Sequence, residues 1–255
     1  MENTTEHTVF APKEWKRRVL YQLFRKKGFR KRFFRSDFFF EQVMRESPLK
    51  VVSLDSLIGE KPEIVLEDFL SRNGNVSPYE LLVIATLVAE RKPQLILEVG
   101  TFDGNTTLQM ALNAPEGAKI DTLDLPPGQT GTKEPVLKSD LQFIQDEAKQ
   151  VRKFGESRVG HKVKQHLCDS TQVDFAQFAK ERSLDFVFID GGHSYECVKS
   201  DTENALPHLS ENGCILWHDF TPLFGGVYQY LCELSKKVPL VHIAGTNLVF
   251  HDRGQ

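Results

Sequence analysis

Apolar residues in this chain fall into short continuous blocks, most of them closed by an acid or a glycine. Blocks at 119–124 and 162–168 are strand-like with polar residues among them, and those at 94–99, 184–189 and 213–217 are largely apolar without regular alternation. They read as strands covered on both faces. Between them, apolar positions recur at helical spacing over 105–113, 139–152, 173–182, 194–206 and 224–236. Strand and helix in strict alternation predict an α/β fold with a doubly wound, mostly parallel sheet. A closing hairpin at 239–243 and 247–251, turning through Gly245-Thr246-Asn247, brings the count to seven strands and makes the last one antiparallel.

The helical pattern begins at Ser77-Pro78-Tyr79-Glu80, where serine can cap, proline suits the first helical position and glutamate closes a capping box. This helix should run to about Arg91. Upstream, 48–75 reads as a connector with one or two short helices, broken at Gly59, Pro62 and Gly74. The chain therefore divides into a basic, mainly helical extension, 1–74, and a globular domain, 75–255.

Composition adds one asymmetry. The net charge is only −3, yet between Lys13 and Arg35 there are 11 lysines or arginines against one acid, Glu14. Trp15, Val19, Leu20, Leu23 and Phe24 fall at helical spacing there, and five phenylalanines follow between 33 and 40. Residues 13–40 would suit an anionic membrane surface, a partner subunit in an oligomer, or packing on the domain itself. Nucleic acid is not expected, because no recognised nucleic-acid module accompanies the charge. No apolar run approaches the roughly 20 residues of a membrane span. The N-terminus lacks the basic-then-apolar order of a secretory signal, and four scattered cysteines suit a reducing compartment, so a cytoplasmic protein is expected.

The chemistry concentrates where the blocks end. After the first, Glu98-Val99-Gly100-Thr101-Phe102-Asp103-Gly104 leads into a helix whose first turn offers unpaired N–H groups. Glycines there permit a tight turn and close approach. Glu98 replaces part of the Gly-x-Gly-x-x-Gly fingerprint, which disfavours a pyrophosphate and an NAD-linked dehydrogenase; an acid suits an amino acid's ammonium group. Asp124 closes the second block, 20 residues past Gly104, where an acid in such a sheet accepts ribose hydroxyls. Asp169-Ser170 follow the third block and suit the edge of an adenine. The fourth ends Asp190-Gly191-Gly192-His193 and the fifth Trp217-His218-Asp219. Neighbouring strands would bring Asp190 and Asp219 together on the crevice rim.

On these motifs, over roughly 77–252, the chain resembles class I S-adenosylmethionine-dependent methyltransferases. It looks closest to the branch of sugar and macrolide O-methyltransferases and cephalosporin-hydroxylase-like proteins. The resemblance implies that Glu98, Gly100, Thr101, Phe102, Gly104, Asp124, Asp169, Ser170 and Asp190 hold S-adenosylmethionine. It also implies methylation of a hydroxyl on a sugar, glycolipid or polyketide-like small molecule. His193, with Asp190, would be the catalytic base, since a neutral imidazole accepts a proton near pH 7. Mg²⁺ or another divalent cation would sit on Asp190, Asp219 and His218, although the branch carries an acid where this chain has His218. That departure leaves a softer metal, fewer ligands or no metal open. A non-catalytic or hydroxylase-like relative that keeps the nucleotide pocket is the alternative. The loop 126–138 (two prolines, two glycines, then Pro135) could close over cofactor or acceptor.

Overall fold

The computed structural model describes residues 47–69, 74–129, 132–137, 140, 152–179 and 183–254. The basic segment 13–40 and most of the expected helix 139–152 lie outside these.

The apolar blocks form the strands β2 (Leu95–Val99), β3 (Lys119–Asp124), β4 (Val163–Leu167), β5 (Leu184–Ile189) and β6 (Leu209–Trp217), and the hairpin supplies β7 (Val241–Ile243) and β8 (Val249–Asp252). An eighth strand was not expected. Lys50–Val52, inside the supposed connector, is β1 and pairs in parallel with β7 at the sheet edge. The order is β1-β7-β8-β6-β5-β2-β3-β4, with β8 antiparallel to both its neighbours and every other pair parallel. The fold is the expected doubly wound α/β sheet.

Strand alternation divides the core. Leu97, Val99, Val187, Ile189, Ile215 and Trp217 pack with Val198 of α3 (Tyr195–Ala205) and Val227 and Leu231 of α4 (Gly225–Leu234). Ile96, Ile120, Phe186, Phe188 and Leu216 pack on the other face with α1 (Pro78–Arg91) and α2 (Asn105–Asn113), through Ile84, Leu87, Leu108 and Met110. Both faces are covered, which is why the strands read as unbroken apolar runs. The capping box at α1 is complete: Ser77 Oγ accepts from Glu80 N, and Glu80 Oε2 accepts from Ser77 N at 2.8 Å.

The expected helix 173–182 is not formed in its described part. Ser170–Gln172 and Phe175–Gln177 are separate 3-10 turns. Asp169 and Asp174 each fold back on an amide two residues ahead, Thr171 N and Ala176 N, and so break the helical ladder. Asn204 of α3 then holds this segment by accepting from Phe175 N and donating to Val173 O.

A strap at 63–69 runs in extended form across α2. Asn113 donates to Val65 O and accepts from Val65 N, both at 2.8 Å. One turn earlier, Gln109 does the same for Glu67, at 2.8 and 3.1 Å. Farther along the chain, Gly74 and Asn75 reach the cavity described next.

Candidate active site

A cavity of about 480 Å³ opens at the carboxyl ends of the parallel strands. Each strand contributes the residues just past its end: Val99 and Gly100, Asp124 and Leu125, Cys168 and Asp169, Asp190 and Gly191, His218 and Asp219. Phe102, Ser170 and His193 also line it, whereas Glu98, Thr101 and Gly104 do not.

The loop after β2 is built by close packing. Gly100 has φ +97, and a Cβ there would lie 2.1 Å from Asp190 O. The tight turn expected of this glycine brings it against the backbone of the loop after β5. Gly104, φ +76, caps α2 under the ring of Phe154. Phe102 between them adopts φ 49 and donates its amide to Asp124 Oδ2 at 2.9 Å. Asp124 Oδ1 accepts from Leu125 N, and Arg152 Nη2 stands 3.6 Å from Oδ2.

Glu98 is fully buried beneath this loop instead of facing the cavity. Its Oε2 accepts from Thr107 Oγ1 at 2.5 Å and from Thr122 Oγ1 at 2.6 Å. Burial raises its pKa to about 8, against the two hydroxyl bonds and helped by the nearby Asp190 and Asp124. Between about pH 4.5 and 8 the unfolded chain ionises this group and the folded chain does not. Stability therefore falls as pH rises through that window, by up to about 1.4 kcal/mol per unit. Glu98→Gln should flatten the dependence: denaturant midpoints at pH 5 and pH 8 draw together in the variant. Equal pH slopes for variant and wild type would show that Glu98 ionises normally.

Asp169 organises its own loop. Its carboxylate accepts from Thr171 N, Thr171 Oγ1, Gln172 Nε2 and, across the cavity wall, Lys133 N. These bonds overcome the effect of burial and hold it below the usual carboxylate range. Lys133 is thereby tied to the end of β4, and Thr132 and Val136 beside it line the cavity.

At the other end lies a chain of acids and imidazoles. His193 Nδ1 is 2.9 Å from Asp140 Oδ1, and its Nε2 is 2.6 Å from Asp219 Oδ2. His218 Nδ1 is 2.9 Å from Asp190 Oδ1 and 3.3 Å from Asp219 Oδ1, and its Nε2 lies 3.4 Å from Glu80 Oε2. Asp219 sits at φ 60, a left-handed conformation in which aspartate is among the better tolerated residues. Burial disfavours charge on His193, but its bonds to Asp140 and Asp219 outweigh that and raise its pKa to about 10. The expected neutral imidazole is thus an imidazolium at rest, because carboxylates face both nitrogens. Asp190 and Asp219 likewise raise His218 well above the ordinary range despite its burial. Burial raises Asp190, whereas His218 and His193 hold Asp219 low.

Three groups in this network had no functional signal in the sequence. Glu80 was legible as a helix cap; it also accepts from Asn247 N at 2.7 Å and faces His218, which holds it near pKa 2 against the effect of burial. Asp140 falls at the start of the expected helix 139–152, where an acid reads as an ordinary first-turn residue. Phe224 stacks on His193 with centroids 4.3 Å apart. Among the described residues, the groups able to share a cation are Asp190, His193 and Asp219, whose donor atoms lie within 4.8 Å of one another. The expected set had His218 in place of His193.

A doubly wound sheet with its cavity along the carboxyl ends of the strands is the architecture of class I methyltransferases. Residues 97–220 match the family model described as a methyltransferase domain. A methyltransferase from Geobacter sulfurreducens shares the fold with a TM-score of 0.50 at 14% identity, covering 71% of this chain and 82% of that one. Cofactor-bound Rv0187 from MTB does so with a TM-score of 0.50 at 15% identity, covering 73% and 84%. Uncharacterized protein y4gI from Sinorhizobium fredii (strain NBRC 101917 / NGR234) is 32% identical over 93 residues, and the match covers 32% of this chain and 10% of that protein. Among the described residues, no helix is long and apolar enough to cross a membrane.

Proposed function

We propose that this protein transfers the methyl group of S-adenosylmethionine to a hydroxyl of a small molecule. The observation that carries the reading is one cavity with nucleoside-type acids at one end and a buried acid–imidazole chain at the other. Asp124 fits the ribose, since it lines the cavity at the carboxyl end of β3, where an acid in such a sheet accepts ribose hydroxyls. Asp169 has its oxygens engaged by the loop, which leaves Ser170 and the neighbouring backbone to meet the adenine edge. Glu98 supports the loop from below and makes no contact with the ammonium group.

S-adenosylmethionine supplies an activated methyl on a sulfonium. What the protein must add is alignment and a base for the hydroxyl proton. His193 Nε2 is that base. In the reacting form Nε2 has released its proton to solvent while Nδ1–H stays on Asp140, so Nε2 takes the hydroxyl proton as the oxygen bonds the methyl and the C–S bond breaks.

The donor set also fits a divalent cation. Glu80, Asp140, Asp190 and Asp219 offer four carboxylates to two imidazoles, so the cluster stays anionic with both rings protonated. Asp190 and Asp219 are the oxygen ligands that would hold the ion, which leaves His193 Nε2 to the proton. A bound cation would lower the acceptor hydroxyl's pKa. A sugar, glycolipid or polyketide-like hydroxyl is the acceptor class.

The test is calorimetric titration with S-adenosylmethionine, followed by a methyl-transfer assay over a hydroxyl library, with EDTA or with added Mg²⁺. Binding that is lost in Asp124→Ala, with transfer to a hydroxyl, is the expected result. Failure to bind the cofactor refutes the reading. Full turnover in EDTA removes the cation from it.

A further inference from the structure

We propose that Asp140 is a positioning residue for His193, fixing which ring nitrogen is the base and where it points. The inference rests on the methyl-transfer reading above and takes it one residue further.

Asp140 grips one residue at two points. Its Oδ1 faces His193 Nδ1 at 2.9 Å, and its Oδ2 accepts from His193 N at 3.2 Å. A carboxylate that binds both the main chain and the ring of the same histidine leaves that ring little rotational freedom. Phe224, stacked on the ring at 4.3 Å, closes the face. With Nδ1–H committed to Asp140, the nitrogen that exchanges protons is Nε2, which is the one beside Asp219.

Asp140 itself is held firmly. It is 6% exposed, and its amide donates to Leu137 O at 2.9 Å. The segment before it is fastened at Lys133 N to Asp169 and at Pro135 O to Cys197 Sγ. One stretch of chain thus touches the acid at the end of β4 and the imidazole past β5. Asp219 cannot play the same part, because it lies at Nε2, the reacting nitrogen. Asparagine at 140 can accept from one of the two N–H groups but presents its own N–H₂ to the other, so the two-point grip fails.

The experiment has two arms. In the first, kcat and KM are measured for wild type, Asp140→Asn, His193→Ala and the double variant. Asp140→Asn should lower kcat by about 10–100-fold with KM for S-adenosylmethionine nearly unchanged. In the His193→Ala background it should cost nothing more, since its effect runs through the ring. An unchanged kcat, or an equal loss with and without His193, overturns the proposal. In the second arm, ¹⁵N-histidine NMR follows the Nδ1–H signal that disappears in His193→Ala. It should move or broaden in Asp140→Asn, and an unmoved signal overturns the grip without reference to turnover. If wild type methylates no hydroxyl, the underlying reading fails, and the NMR arm still reports whether Asp140 holds the ring.

Discussion

His193→Ala lowers turnover by about 10²–10⁴-fold while leaving cofactor affinity nearly unchanged. The two readouts separate because of where the residue sits. His193 contacts Asp140, Asp219 and Phe224, and none of these is among the acids at the ends of β3 and β4. Steady-state kinetics with a hydroxyl acceptor, alongside titration calorimetry, checks both halves. The variant also leaves two buried carboxylates without the cation between them, which costs stability. Measurements therefore belong well below its melting temperature, with circular dichroism confirming the fold. A variant that is folded and fully active would remove His193 from the chemistry.

Gly100→Ala should be the most damaging alanine substitution among the described glycines. Its added carbon would stand 2.1 Å from Asp190 O, and that neighbour is backbone, which cannot swing aside. The left-handed φ of +97 adds strain of its own. Together these cost about 3–5 kcal/mol, and the melting temperature should fall by roughly 10 °C. Gly128→Ala is the matched control: φ is +77, yet nothing lies within 4 Å of the added carbon. Only the conformational cost remains there, about 1 kcal/mol. Equal melting temperatures for the two variants would mean that the β2 and β5 loops can separate without loss.

The sheet was legible because its strands are covered on both faces, so Phe186 to Ile189 or Cys214 to Trp217 had to be continuously apolar. Serine, proline and glutamate at 77–80 announced α1 by a local rule that tertiary contacts did not override. β1 was not legible: three residues at an edge, one face open, leave no period to detect. Nor was the loss of helix after β4 foreseeable, since apolar spacing does not register that Asp169 and Asp174 bond their own backbone.

The site shows the same division. Asp190 and Asp219 met as expected, because neighbouring strands end at the same rim. Glu98 was placed in the wrong layer: the acid was visible in the sequence, but not the hydroxyls of Thr107 and Thr122 waiting beneath the loop. Asp140 and Glu80 reach the cluster from a loop and a helix cap, across separations of 53 residues to His193 and 167 to Asn247, which no local pattern encodes.

The clip between α2 and the strap gripping Val65 and Glu67 reads only main-chain atoms. Two amide side chains a helical turn apart recognise peptide units two residues apart, whatever side chains those units carry. Drift at 65 and 67 is therefore tolerated, while Gln109 and Asn113 are not free to change. The identity of two helix residues thus governs how the strap at Val65 and Glu67 is held on α2.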